Sequence, residues 1–313
     1  MTMRWLILGA GALGGYFGAR LLKGGADVTF LVRPRREQQL QRDGLVVHTQ
    51  DGDTLRYDVR TLRQGGIDKP FDVVLLTCKA YDLDGAMDAI APAIGPGTAI
   101  LPVLNGVRHV DVLKDRFGAA QVLGGITAIN AALLPDGAIQ QSQLRINMNH
   151  LGELDGRKST RCAAIAQALT SGGLQAEAVD DVMASLWQKF FGYACVATVA
   201  TLTRSRAGVV ARASAGAAFV SAVLAEVASV VAAEGTLVSP QVLALIRGTY
   251  AQPDSTYVPS ILVDMEEGRP TEGEHTIGDL VERANRRGIP VPTLTAARCN
   301  LQTYEINRVG HQN

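Results

Sequence analysis

Trp5-Leu6-Ile7-Leu8-Gly9-Ala10-Gly11-Ala12-Leu13-Gly14 joins an apolar run to a glycine pattern of the form G-x-G-x-x-G. The residues that follow, through Tyr16, Phe17 and Leu21 to Gly24-Gly25, read as a helix. A buried strand, a glycine turn and a helix in that order is the setting in which the pattern binds a dinucleotide. Gly9 allows the tight turn, Gly11 lets backbone approach a pyrophosphate, and Gly14 lets the helix pack on the strand. Ala12 and Leu13 carry the chain into the first helical turn, whose N–H groups and partial positive charge suit phosphates. The competing reading of so short a pattern is a plain strand-turn-helix with no ligand.

About 20 residues further on, a domain built for NAD places an acid against the ribose hydroxyls. This chain has Arg33 there, at the end of the second apolar run, Asp27 to Val32, with Arg35 and Arg36 close behind. A guanidinium fork matches the 2′-phosphate of NADP in charge and in bidentate geometry. The alternative is a solvated basic turn.

Outward from these motifs, the first half alternates apolar runs with helical patterns, the signature of parallel strands joined by crossover helices. Asp72 to Thr77 and Ala99 to Leu104 are the third and fourth runs, apolar on both faces as buried parallel strands are. Gly44 to Arg63 reads as a small strand excursion. Val122 to Gly152, with the turn Pro135-Asp136-Gly137, is expected to end the sheet in antiparallel strands. From about Asp180 long Ala, Leu and Val segments with helical spacing take over. The expectation is an α/β Rossmann domain with a mostly parallel sheet over residues 1–179, then an all-α domain over 180–313, with the active site in the cleft between them.

The chain has 313 residues, 47% hydrophobic and 19% charged, with 30 Lys plus Arg against 30 Asp plus Glu. Length and composition fit two well-packed globular domains. A balanced charge offers no basic field for nucleic acid or an anionic membrane, so small molecules are the expected partners. Cys78, Cys162, Cys195 and Cys299 lack the paired spacing of a thiolate metal site, so no metal is expected and reduced thiols are. No signal-peptide pattern precedes the first strand, which predicts a cytoplasmic location. Ala215 to Ala233 is apolar enough to resemble a membrane span, but Glu226 in its middle reads it as a tightly packed core helix. A homodimer is left open.

Polar residues at strand ends are where a ligand of such a sheet lies. Thr77-Cys78-Lys79-Ala80 and Leu104-Asn105-Gly106 place Lys79 and Asn105 there, although either alone reads equally as a surface lysine or a turn asparagine. In the helical half, Leu186-Trp187-Gln188-Lys189-Phe190-Phe191 embeds a lysine among large apolar residues, which on spacing alone reads more readily as a side chain snorkelling to water. Ser260 and Glu272 flank the acidic cluster Asp264, Glu266 and Glu267, which by composition is a solvated helix face.

Taken together, in order and spacing, the glycine pattern with Gly15, Cys78-Lys79-Ala80, Leu104-Asn105-Gly106, Leu186 to Phe190, Thr271-Glu272 with Gly278, and Gly288-Ile289-Pro290-Val291-Pro292 resemble the ketopantoate reductases over essentially the whole chain. The resemblance implies NADPH-dependent reduction of 2-dehydropantoate to pantoate in the pantothenate pathway. It implies Lys189 as general acid and Glu272 as the acid that hydrogen-bonds the substrate hydroxyl and holds the lysine. It implies Ser260 as a substrate-binding residue, and Lys79 and Asn105 as polar residues lining the nicotinamide and substrate cleft. Reduction of a carbonyl builds negative charge on oxygen, which an ammonium neutralises and then protonates.

The sequence departs from the family where substrate is read. Tyr193 and Ala197 stand one and two helical turns after Lys189 in place of asparagines, Ala207 stands near a third, and Ile277 replaces the asparagine before Gly278. Tyr193 therefore joins the candidate substrate-binding residues, either as an aromatic wall or through its hydroxyl. Besides the 2-dehydropantoate reading, two others are carried: a reductase for a more apolar 2-oxo acid, and a NADP-binding sensor without catalysis. The retained Lys189 and Glu272 argue against the last.

Overall fold

The computed structural model describes residues 3–142 and 147–310. The chain divides into two compact units: residues up to Leu104 with His109–Ser185, and Asn105–Arg108 with everything from Leu186 onward. The boundary expected at 179/180 thus falls at Ser185/Leu186. The reason is local packing: Val182, in the first turn of a long helix, fills the space left by Gly124 and Gly152, so the start of that helix belongs to the first unit.

In the first unit, strands β1 (Arg4–Leu8), β2 (Asp27–Leu31), β5 (Arg60–Leu62), β6 (Val73–Leu76) and β7 (Ala99–Pro102) form one parallel sheet ordered β5-β2-β1-β6-β7. Read along the chain, that is the 3-2-1-4-5 order of a Rossmann sheet. Helices α1 (Ala12–Lys23), α2 (Pro34–Asp43), α3 (Leu83–Ile90) and α4 (Arg108–Phe117) accompany the crossovers. Alternation along each strand feeds two separate cores. Trp5, Ile7, Val73, Leu75 and Leu101 pack with Phe17 and Phe30 on one face, while Leu6, Val74, Leu76 and Ile100 pack with Leu83 and Leu113 on the other. Burial on both faces is why these strands read as unbroken apolar runs.

The antiparallel segments do not extend this sheet, contrary to the expectation from sequence. The hairpin of β3 (Leu45–His48) and β4 (Thr54–Tyr57) joins β9 (Ala131–Leu133) and β10 (Ile139–Gln141) in a four-stranded sheet. A three-stranded sheet is built from β8 (Leu123–Ala128), β11 (Met148–Glu153) and β12 (Ala176–Ala178), beside helix α5 (Thr160–Ser171). One parallel bridge, Ile100 to Val122, links β7 to the start of β8, so the ladder breaks before a sixth strand forms.

The second unit is helical: α6 (Val182–Thr203), α7 (Ala207–Arg212), α8 (Gly216–Ala233), α9 (Pro240–Thr249), α10 (Ser260–Glu266), a π-helical turn Glu274–Gly278, α11 (Asp279–Arg287) and α12 (Pro292–Gly310). Ser239 caps α9 by accepting from the Val242 N–H at 3.2 Å, with Pro240 in the first turn, as its sequence predicts. Among the described residues α8 is the one helix long and apolar enough to cross a membrane, with a mean hydropathy of 1.9. Only one of its faces is buried, through Val220, Val223, Leu224, Val227, Val230 and Val231, so it is less enclosed than a core helix. Glu226 is committed to α12: its carboxylate accepts from the N–H groups of Thr293 and Leu294 at 3.0 Å and from the Thr293 hydroxyl. A carboxylate at a helix N-terminus satisfies amides that have no partner within the helix.

Candidate active site

Gly9 follows β1 with φ at +85°, a left-handed conformation that a side chain would strain, and its N–H donates to Leu31 O at 2.8 Å. Gly14 sits where a Cβ would lie 2.3 Å from Gly9 O and 2.6 Å from Thr77 Oγ1, so only glycine lets α1 pack this close to the strand ends. A Cβ on Gly11 would meet nothing within 4 Å, so the turn faces open space there. That space is a cleft of about 620 Å³ lined by Leu8 to Gly14, by Val32, Arg33 and Arg36 after β2, and by Thr77, Cys78, Tyr81 and Asp82 after β6. It opens at the carboxyl ends of β1 and β6, the point where the strand order reverses and nucleotides bind in sheets of this kind. No acidic residue occupies the first turn of α1, so nothing there opposes an anion. These residues fit a dinucleotide.

The arginines divide into two kinds. Arg36 is built into the fold: its Nε donates to Ala10 O at 2.9 Å, and its Nη1 donates to Gln39 Oε1 at 2.7 Å and Gly137 O at 2.9 Å. It ties the glycine turn to the four-stranded sheet, and burial lowers its guanidinium from the ordinary value. Arg33, by contrast, has a side chain 85% exposed, and its Nη2 lies 3.4 Å from Asp82 Oδ1. The sequence singles out Arg33 with Arg35 and Arg36 behind it, and the structure leaves Arg33 as the more exposed cation at the cleft. Asp82 was missed, since an acid at the start of a helix carries no distinguishing pattern.

The second unit holds the other constellation. Lys189, on α6, donates through Nζ to Asn105 Oδ1 at 3.5 Å, and Asn105 Nδ2 donates to Glu272 Oε2 at 3.4 Å. Both distances are at the long end of hydrogen bonding. The segment carrying Asn105 is held within this unit: Gly106, at φ +82°, backs onto the His275 carbonyl, and Arg108 Nη1 donates to Glu282 Oε2 at 3.2 Å. Glu272, 6% exposed, is pinned on both sides. The N–H and hydroxyl of Thr271 donate to Glu305 Oε1 at 2.7 and 2.8 Å, and the Thr276 N–H donates to Glu272 O at 3.1 Å. Composition reads the acidic cluster as a solvated face; Glu266 and Glu267 are exposed as that reading expects, whereas Asp264 and Glu272 are buried. Desolvation pulls the Lys189 ammonium down from the ordinary lysine value to about 8, and the Glu272 carboxylate opposes the fall.

Lys79 stands at the N-terminus of the short 3-10 turn Ala80–Asp82 in the first unit, while Asn105 groups with the second, so the two strand-end residues are sorted into different units. Tyr193 lies beside Ser260, and burial holds its phenol far above the usual range. Ala197 and Ile277 are fully buried and Ala207 nearly so, which makes these three departures part of the packed interior. Trp187 is braced from the side by the Arg283 guanidinium, 5.3 Å from its ring centroid.

Residues 5–156 match a family model described as "Ketopantoate reductase PanE/ApbA", and residues 181–305 match "Ketopantoate reductase PanE/ApbA C terminal". The chain is 33% identical over 308 residues to the uncharacterized oxidoreductase YkpB of Bacillus subtilis, covering 98% of this chain and 100% of that one. It is 26% identical over 327 residues to the 2-dehydropantoate 2-reductase of Mesorhizobium japonicum, covering 98% and 99%. The crystal structure of 2-dehydropantoate 2-reductase from Geobacter metallireducens superposes with a TM-score of 0.86 at 27% identity, covering 96% and 99%. The same fold, at a TM-score of 0.85 and 22% identity, is found in a D-mandelate dehydrogenase. The class is that of NAD(P)-dependent oxidoreductases with a Rossmann domain and a helical partner unit. Within it, the chain belongs to the ketopantoate reductase family.

Proposed function

We propose that this protein reduces a 2-oxo acid to the 2-hydroxy acid with NADPH, and that its substrate is 2-dehydropantoate, giving pantoate. The observation that carries the reading is the Lys189–Asn105–Glu272 chain, in which a desolvated ammonium is held beside a buried carboxylate by one bridging amide. The chemistry a bound nicotinamide supplies is hydride donation to the substrate's carbonyl carbon. Lys189 then meets the negative charge that builds on the carbonyl oxygen and transfers its proton there. Long contacts such as those through Asn105 tighten in a substrate complex, so the bridging amide orients the lysine while Glu272 takes the substrate hydroxyl. Gly9 to Gly14 hold the pyrophosphate, with Ala12 and Leu13 in the first turn of α1, and Arg33 takes the 2′-phosphate. Lys79 and Asn105 serve the nicotinamide and substrate side, and Ser260 with Tyr193 forms a polar pair for the substrate's tail.

The cofactor assignment is tested by Arg33→Ala. A charge-assisted bond contributes about 1.5–3 kcal/mol, but solvent screening at an 85% exposed side chain favours the low end, so NADPH affinity should fall roughly tenfold while NADH is unaffected. Equal use of NADH and NADPH by the wild type overturns it.

The substrate is tested by following NADPH oxidation with a panel of 2-oxo acids. The adjacent hydroxyls of Tyr193 and Ser260 favour recognition of a substrate hydroxyl, because a site that hydrogen-bonds one rejects substrates lacking it. Tyr193→Phe should therefore lower kcat/KM for 2-dehydropantoate about tenfold and leave apolar 2-oxo acids nearly unchanged. A wild type that prefers an apolar 2-oxo acid transfers the assignment to the more apolar substrate class, and no turnover with any of them leaves the sensor reading.

A further inference from the structure

Asp82 is the one acidic residue among the described residues lining the dinucleotide cleft, and its carboxylate lies 3.4 Å from the Arg33 guanidinium. It makes no side-chain capping bond to α3, although it stands at that helix's N-cap, so its charge has no evident structural duty there. Arg36, the other arginine of the cleft, is half-buried and fixed through Nε and Nη1 by Ala10, Gln39 and Gly137, with its Nη2 buried, so Arg33 is the arginine of the cleft that is exposed. Recognition of an extra phosphate by this basic turn therefore falls to a cation that already faces an anion.

We propose that Asp82 competes with the 2′-phosphate for Arg33 and sets how strongly the site discriminates NADPH from NADH. An exposed pair of this kind is weak, so a phosphate dianion displaces the carboxylate. The displaced carboxylate stays within the same cleft, where it repels the phosphate. Both effects weaken the phosphorylated cofactor and leave the unphosphorylated one alone. Asp82 thus acts as a specificity residue through Arg33, and the chain uses NADPH with a smaller margin than Arg33 alone would give. This rests on the assignment of Arg33 to the 2′-phosphate.

The test is equilibrium titration by calorimetry with NADPH, NADH, 2′,5′-ADP and 5′-ADP, at one low ionic strength, on the wild type, Asp82→Asn, Arg33→Ala and the double variant. Asp82→Asn should tighten NADPH and 2′,5′-ADP about fivefold, with NADH and 5′-ADP changed less than twofold. In the Arg33→Ala background the gain should shrink to the residual repulsion, below about twofold. An Arg33→Ala variant with unaltered NADPH to NADH ratio removes the Arg33 assignment, and the proposal with it. A normal loss in Arg33→Ala together with an Asp82→Asn variant that moves neither phosphorylated ligand, or moves all four alike, removes the proposal alone.

Discussion

Replacing Lys189 with alanine should lower kcat by about 10²–10⁴ while the NADPH dissociation constant stays within a factor of about two, because a general acid acts in the transition state and not in cofactor binding. The pH profile gives the same expectation a direction. With its pKa pulled to about 8 by desolvation, Lys189 is mostly protonated at neutral pH yet donates more readily than an ordinary lysine. The rate of reduction should be flat below that value and fall as pH rises through about 8. Oxidation of the hydroxy acid needs the neutral amine as base, so its rate should rise over the same interval. Lys189→Arg supplies the control: it keeps the positive charge but holds its proton, so it should recover little of the rate and lose the limb near pH 8. Full activity in Lys189→Ala would falsify the assignment and leave Lys189 as a lysine without a part in the chemistry.

Glu272→Gln should have the second-largest effect. The amide keeps an acceptor for Asn105 Nδ2, so the scaffold survives, but the charge that supports the Lys189 ammonium is lost. The basic limb of the reduction profile should move to lower pH, since only the downward pull of desolvation remains. Loss of a charge-assisted bond to the substrate hydroxyl should reduce kcat/KM by roughly 10- to 100-fold, corresponding to about 1.5–3 kcal/mol. The shift of the limb is the readout that a merely structural role leaves untouched. An unmoved limb with an unchanged kcat/KM would return Glu272 to the role of a packing residue beside α12.

The parallel sheet is legible in the sequence because its evidence is local. Its four apolar runs, β1, β2, β6 and β7, are buried on both faces, whereas no residue of the edge strand β5 is buried and it reads only as part of the 44–63 excursion; Gly9 and Gly14 answer to contacts within one turn. Where partners are distant in the chain, the reading fails. Nothing in the 122–152 segment says that β8 pairs with β11 and leaves β7 after one bridge. Glu272 reads as exposed because its neighbours in sequence are polar, and its burial comes from Thr271 meeting Glu305 more than thirty residues on. For the same reason the sequence does not show how differently Arg33 and Arg36 are held: what separates them is a carbonyl at Gly137 and a carboxylate at Asp82. Of the departures, Tyr193 and Ala197 read as a changed substrate wall and Ile277 as a replaced asparagine; Ala197 and Ile277 are fully buried, and only Tyr193 brings a polar group.

The segment Asn105–Arg108 belongs to the helical unit although the chain on both sides of it belongs to the sheet unit. The polypeptide therefore passes between the two units three times, not once. No single cut yields two self-sufficient halves: a fragment starting at Leu186 would carry Lys189 and Glu272 without the amide that lies between them. The halves cannot be exchanged among relatives as cassettes by one crossover, and a chimaera joined near residue 186 would take its bridging asparagine from one parent and its lysine from the other. A duplication or fusion that preserved function would have to move the four-residue loan together with its lender, so recombination here is constrained well away from the glycine turn.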